Sequence, residues 1–449
     1  MKKYKLHKIL LDANSSSNTA PLFKELIGSG YSTKSGKSEK KLKNVCSDFP
    51  DLPSIVNSDR SIINRIIAVG DIHGDLDLAI NCLLVAKVIK QIYINKNKEN
   101  NIEETDILYD DLDFDEIKEN EYSDNIVKLN YKEEKIPRFY KWIGEKTIVV
   151  QVGDQVDRCR PIDKECHDPN ATINDEGSDI KIMFFFHDLH LVALKSGCAV
   201  YSLLGNHELL NVLGTMRYVS YKGLEEFKSA DDKDIFEGRK KAFDTNSTSL
   251  LYKKKTNLSN FLACARLSAI IVDSYLFVHA GVLDKLISHT AKHSGITNKT
   301  HSIETINHTI RAWLTNTSKK TDKDYIEKLL SGKTLSPFWP RIFGNLQPGL
   351  ERSNKLCQHH VEPVLKFLDI KGLVVGHTPQ LKMNINSTCG DTVWRVDIAG
   401  SQAFDEILYI NTKSDNDKKK ITQGRKPQVL EIKLGKTDEK DIFTVLLSK

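Results

Sequence analysis

A mixed α/β fold is predicted for this chain by three observations. Apolar runs of strand length stop abruptly at a glycine, a strand, glycine turn and helix succeed one another over residues 62–88, and the same ending recurs five times before residue 380. Each such ending pairs the glycine with Asp, Asn or His. A scaffold of this kind offers functional side chains from several loops at once.

The first ending organises the rest. Ile62, Ile63, Ile66, Ile67, Ala68 and Val69 lead into Gly70-Asp71-Ile72-His73-Gly74. Residues i and i+2 of an extended segment point the same way, so Asp71 and His73 can converge on one cation while the flanking glycines let the backbone bend. Carboxylate oxygen with imidazole nitrogen suits manganese, iron or zinc. Taken alone, the segment reads equally as a solvated turn with a surface histidine. Leu76, Leu78, Ala79, Leu83, Leu84, Ala86 and Val88 then recur at three- and four-residue spacings, which predicts a helix packing back on the sheet.

A second strand, KTIVVQVGD from Lys146, ends in Gly153-Asp154-Gln155-Val156-Asp157-Arg158. A helical stretch over 180–195 leads to a third strand, Cys198 to Leu204, ending in Gly205-Asn206-His207-Glu208. A hairpin-like pair, SAIIV and YLFVHAG, turns at Asp273-Ser274 and ends in His279-Ala280-Gly281. Helices are expected over roughly 300–370, interrupted by Pro337, Pro340 and Pro348, before the strand GLVVGHTPQ ends in Gly376-His377. TVWRVDIAG, FDEILYI, PQVLEIKL and DIFTVLL supply further β-rich pieces.

Two regions stand apart. Residues 1–60 are rich in Ser, Lys and Gly with little periodicity and are expected to form a partly ordered arm. Within the domain expected at 61–449, the strongly acidic stretch at about 97–134 reads as an insertion, either a solvated loop or a segment that competes for a cationic site.

Composition narrows the function classes. Forty per cent hydrophobic and 28% charged residues are globular values, and a formal net charge of +5 over 449 residues announces no nucleic-acid partner. No apolar run is long enough to span a bilayer, and the N-terminal run is too short for a signal-peptide core. Eight cysteines without a C-x-x-C pair argue against a disulfide framework and for a reducing, cytoplasmic setting, the host cytoplasm if the gene is viral. Cys166-His167 and Cys357 with His359 and His360 have no second half of a zinc site. His187, His190, His359 and His360 read as packing or surface residues, and the lysine runs near 253 and 418 as solvated faces.

The ordered motifs GDIHG, GDQVDR, GNHE, HAG and GHT resemble those of the calcineurin-like metallophosphoesterases, and more narrowly the phosphoprotein phosphatase superfamily, over roughly residues 65–435. Leu204 before GNHE, FVHAG, VVGHTPQ and VDIAG are most similar to its Shewanella-like group. The resemblance implies a four-layer α/β/β/α sandwich of two mixed sheets. It implies two divalent or trivalent metal ions (Mn, Fe or Zn): Asp71 and His73 on one, Asp154 bridging, and Asn206, His279 and His377 on the other. Arg158 would clamp the substrate phosphate, with Arg341 in PFWPRIFG as a second arginine. His207 would be the general acid, oriented by Asp157, and Glu208 would support the motif.

The implied activity is that of a dinuclear phosphomonoesterase, in which a hydroxide between cations about 3.5–4 Å apart attacks phosphorus in line. Its substrate would be a phosphoprotein or phosphopeptide, phosphorylated on serine/threonine or tyrosine. A symmetrical dinucleoside tetraphosphate hydrolase and a catalytically weak phosphate-binding or scaffold protein are the alternatives. The family pattern has glycine where this chain has Cys159, a position that reads either as a small residue in a turn or as an oxidisable thiol beside the cations.

Overall fold

The computed structural model describes residues 44–57, 59–92, 125–129, 138–247, 256–296, 298–331, 334–381, 384–405, 425–436 and 439–448. Most of the N-terminal arm, most of the acidic stretch, the lysine runs near 253 and 418 and residues 406–410 of FDEILYI lie outside them.

Two sheets face each other. In the first, β2 (Arg65–Val69), β6 (Thr147–Gln151) and β7 (Ala199–Ser202) run parallel, and β13 (Gln428–Lys433) and β14 (Ile442–Leu447) extend it antiparallel on the β2 side. In the second, β9 (Tyr275–Val278), β10 (Gly372–Val375) and β12 (Val393–Arg395) run parallel, with β8 (Ala269–Val272) and β11 (Asn386–Thr388) antiparallel at the flanks and β1 (Ile55–Val56) parallel to β8.

Strand alternation builds the layers. Ile66 and Ala68 of β2 point inward, with Ile148 and Val150 of β6, to meet Ile270, Phe277 and Val374 of the opposite sheet. Ile67 and Val69 point outward and pack beneath helices Leu76–Val85 and Asp179–Lys195, through Leu83, Ile182, Phe186 and Leu189. On the far side Leu276, Val278, Leu373 and Val375 pack against helices Leu258–Ala265, Lys299–Leu314 and Glu362–Leu368. The result is the four-layer α/β/β/α sandwich. Within the helix at 179–195, His187 packs on Phe49 and Phe261 and His190 on Tyr201, as packing residues do.

A third sheet was not expected. β3 (Ile89–Ile92), β5 (Arg138–Trp142) and β4 (Ile126–Leu129) form an antiparallel trio, with β4 drawn from the end of the acidic stretch. Val127 and Leu129 alternate inward there, a pattern too short to stand out among acidic neighbours.

The expectation against disulfides is overturned. Cys46 pairs with Cys264, Cys159 with Cys166 and Cys357 with Cys389, at Cα separations of 5.3, 5.7 and 5.5 Å, while Cys82 and Cys198 are free and buried. Pairing depends on proximity in space, and partners 218 residues apart carry no local signature. Three disulfides do not fit the reducing setting expected from the cysteine spacing, and Cys159 is no free thiol.

Candidate active site

Parallel strands bring their carboxyl ends to one edge, and there the candidate side chains gather. β2 delivers Asp71 and His73, and β6 delivers Asp154 and Asp157. β7 leads to Asn206 and His207 at the start of helix Asn206–Val212. From the facing sheet β9 delivers His279, β10 delivers His377 and β12 delivers Asp397.

Asp154 is the hub. Its Oδ2 lies 3.3 Å from Nε2 of His279, 3.8 Å from Nε2 of His73 and 3.9 Å from Nε2 of His207. Its Oδ1 accepts from the His207 amide at 2.9 Å. His279 also places Nε2 2.9 Å from Oδ1 of Asn206. The His377 amide donates to Oδ2 of Asp71 at 3.0 Å. Two donor groups result, His73, Asp154 and His207, and Asp154, His279 and His377, each with ligand atoms within 4.8 Å of one another.

The turn at the first motif differs from an extended pair. His73 has φ +46°, so a left-handed bend, not strand alternation, brings its Nε2 to 3.9 Å from Oδ2 of Asp71. Asp154, Asp157 and His377 also have positive φ, at +52°, +73° and +64°. Such backbone costs energy in a non-glycine residue and clusters at functional sites. Two glycines permit the close approach: a Cβ on Gly205 would sit 2.0 Å from Oδ1 of Asp154, and one on Gly376 2.2 Å from Oδ1 of Asp71.

Beside the hub, Nδ1 of His207 meets Oδ2 of Asp157 at 2.8 Å. Asp157 Oδ1 accepts from Asn211 at 2.8 Å and from Arg239 at 3.2 Å, and Arg239 donates to Asp179 at 2.7 Å. Glu208 accepts the amides of Gly205, Asp154 and Gln155 at 2.6, 3.0 and 2.7 Å, pinning the two loops together.

Burial raises Asp71 well above the ordinary carboxylate range, helped by repulsion from Asp397 and Asp154. Burial would raise Asp154 too, but His279, His207 and His73 together hold it well below. Burial, then His279 and Arg341, depress His377 to about 3. Asp397 rises to about 6, through burial and then Asp154, against the effect of its hydrogen bond from the Ala399 amide. Oδ1 of Asp71 and Oδ2 of Asp397 are buried without a hydrogen-bond partner. Crowded carboxylates with orphaned oxygens beside buried imidazoles make an all-oxygen and nitrogen donor set, and cations of the manganese, iron or zinc type fit it.

The two arginines differ from each other. Arg158 is buried, with Nη1 2.5 Å from Glu176 Oε1, 2.9 Å from the Gly74 carbonyl and 3.6 Å from Asp75. Arg341 is exposed at the start of helix Ile342–Asn345, near enough to repel His377. Sequence reasoning missed Asp397, although VDIAG is another apolar strand ending in an acid. Asn211, Arg239 and Asp179 left no comparable signal, because they lie inside helices and meet Asp157 only in space.

Residues 64–381 match the sequence model of the Metallophos family, calcineurin-like phosphoesterase. An uncharacterized protein of Acanthamoeba polyphaga mimivirus is 36% identical over 276 residues, 60% of this chain and 99% of that one. Shewanella-like protein phosphatase 2 of Arabidopsis thaliana is 26% identical over 307 residues, 61% of this chain and 68% of that one. Shewanella-like protein phosphatase 1 of Plasmodium berghei is 24% identical over 381 residues, 84% and 79% of the two chains. Among solved structures, a mutant of a cold-active protein tyrosine phosphatase superposes with TM-score 0.50 at 17% identity, over 92% of this chain and 86% of that one. No helix among the described residues is long and apolar enough to cross a membrane.

Proposed function

From the premise that the chain belongs to the calcineurin-like phosphoesterase family, we propose that it is a metal-dependent protein phosphatase that hydrolyses phosphate monoesters on protein side chains. The observation that carries this is Oδ2 of Asp154 set 3.3–3.9 Å from three imidazole Nε2 atoms. The names of the plant and Plasmodium relatives support phosphoprotein substrates.

In this reading Asp71 and His73 hold one cation, Asp154 is shared, and Asn206, His279 and His377 hold the second. When bound, such cations supply Lewis acidity toward the phosphoryl oxygens and activate water at neutral pH. Arg158 and Arg341 are the proposed guanidinium partners of the substrate phosphate. His207 is the general acid: protonated on both nitrogens, it keeps Nδ1–H on Asp157 and passes the Nε2 proton to the departing oxygen. Asp157 stabilises that imidazolium and orients the ring. Asn211 and Arg239, on the other oxygen of Asp157, keep the carboxylate from turning away.

The test is manganese-dependent cleavage of p-nitrophenyl phosphate by wild type and His207→Ala. Phosphoserine and phosphotyrosine peptides, a dinucleoside tetraphosphate and a phosphodiester are then compared. Turnover confined to the tetraphosphate would replace the phosphatase reading, and no turnover with Mn, Fe or Zn would leave a phosphate-binding protein. The acidic stretch is a candidate competitor for the site, and deleting 97–124, which spares β4, should raise activity at low salt if it acts so.

A further inference from the structure

The loop after β6 carries a second arginine, two residues beyond the one that the family motif singles out. We propose that Arg160 is a further phosphate-binding residue of this site, an assignment that rests on the phosphoesterase reading above.

Arg160 closes a ring of side chains beside the hub. Its guanidinium carbon lies 4.5 Å from the ring centre of Phe404 and 5.7 Å from that of Tyr218. Phe404 sits edge-on to His73 at 5.4 Å, Tyr218 to His207 at 5.0 Å, and His73 to His207 at 4.8 Å. Arg160 therefore shares an aromatic neighbour with a proposed cation ligand, His73, and another with the proposed acid, His207.

The donors are disposed to match. Nη1 donates to the carbonyls of Asp157 and Cys159 at 3.1 and 2.8 Å, which fixes the plane of the guanidinium. Among the described residues no carboxylate forms an ion pair with Arg160, whereas Nη1 of Arg158 is paired with Glu176. Two aromatic faces hold the cation without neutralising it. A planar fork held in place beside the site, with no carboxylate ion-pair partner among the described residues, is suited to a phosphate dianion.

The loop is fastened for this. Cys159 is bonded to Cys166, and its amide donates to the Tyr218 carbonyl at 3.0 Å. Cysteine where the family has glycine thus closes the Arg160 loop on itself, while the backbone of the same residue holds it to the segment that carries Tyr218.

The test uses the manganese-loaded protein. Inorganic phosphate binding is measured by calorimetry, and KM and kcat are measured for p-nitrophenyl phosphate, in wild type, Arg160→Gln and Arg160→Lys. The expected result is phosphate binding about tenfold weaker and KM about tenfold higher in Arg160→Gln, with partial recovery in Arg160→Lys. Bound manganese and the thermal midpoint should stay unchanged. Equal phosphate affinity in wild type and Arg160→Gln would overturn the assignment. If that variant does not fold, Arg160→Lys decides, and affinity equal to wild type counts against the fork. Weaker phosphate binding in Arg160→Gln, beside a wild type that turns nothing over, would leave Arg160 standing and remove the hydrolase reading instead.

Discussion

Asp157 accepts from both sides at once: Nδ1 of His207 lies 2.8 Å from one carboxylate oxygen, and Nη2 of the fully buried Arg239 lies 3.2 Å from the other. The carboxylate couples the candidate acid to the rigid interior, and the first two predictions probe its two sides.

On the His207 side, Asp157→Asn should lower kcat by about 10²–10⁴-fold for phosphoserine peptides. p-Nitrophenol is a good leaving group that needs little protonation, so the loss with its phosphate ester should be much smaller. Steady-state kinetics on both substrates check this, and equal losses would count against a proton donated by His207.

On the Arg239 side, Arg239→Met leaves Asp157 and Asp179 buried without their counter-charge. Breaking a buried pair in this way costs about 3–5 kcal/mol. Urea unfolding monitored by tryptophan fluorescence should show that loss even in manganese-free protein, which separates it from any effect on cation binding.

Cation binding should itself stabilise the fold. A ligand that binds only the native state at a hundred times its dissociation constant adds about 2.7 kcal/mol. Manganese should raise the thermal midpoint of wild type, chelation should reverse the rise, and Asp154→Asn should abolish it because both donor groups share that carboxylate.

Glu176 ties stability to pH. Burial pushes its carboxyl up to about 7, against the attraction of Arg158, while an unfolded glutamate titrates near about 4.3. The native state binds that proton more tightly, so the stability it contributes is full below about 4.3 and is lost as pH rises toward 7. Wild type should lose stability across that window, and Glu176→Gln should lose less. Urea midpoints taken at intervals of about one pH unit, from roughly 4 to roughly 7, check the sign.

Thiol counting checks the cross-links. Denatured, unreduced protein should expose two titratable thiols, Cys82 and Cys198, and reduction should raise the count to eight. Cys46→Ser, which opens the bridge to Cys264, should cost about 2–4 kcal/mol.

Much of the site was legible in the residues alone, because a strand that ends at glycine and an acid or histidine is a local event. Gly70-Asp71, Gly153-Asp154, Gly205-Asn206 and Gly376-His377 each announce a loop at a strand's carboxyl end, and parallel pairing sends such ends to one edge. The two-sheet core was expected from the resemblance of the motifs; β2 is apolar from Ile66 to Val69, which announces a strand buried on both faces, and only packing assigns Ile66 and Ile67 to opposite layers. What folding in three dimensions added is everything that depends on distance between remote segments. Cys46 finds Cys264, Asp397 comes to lie beside Asp71, Arg239 reaches Asp157, and Arg158 turns to Glu176 while Arg160 lies between two aromatic rings. The left-handed backbone of His73 and His377 belongs there as well. A chain's pattern of residue types sets which local structures are cheap, but a strained turn or an orphaned carboxylate persists only where surrounding packing outweighs its cost, and that balance exists only in the folded molecule.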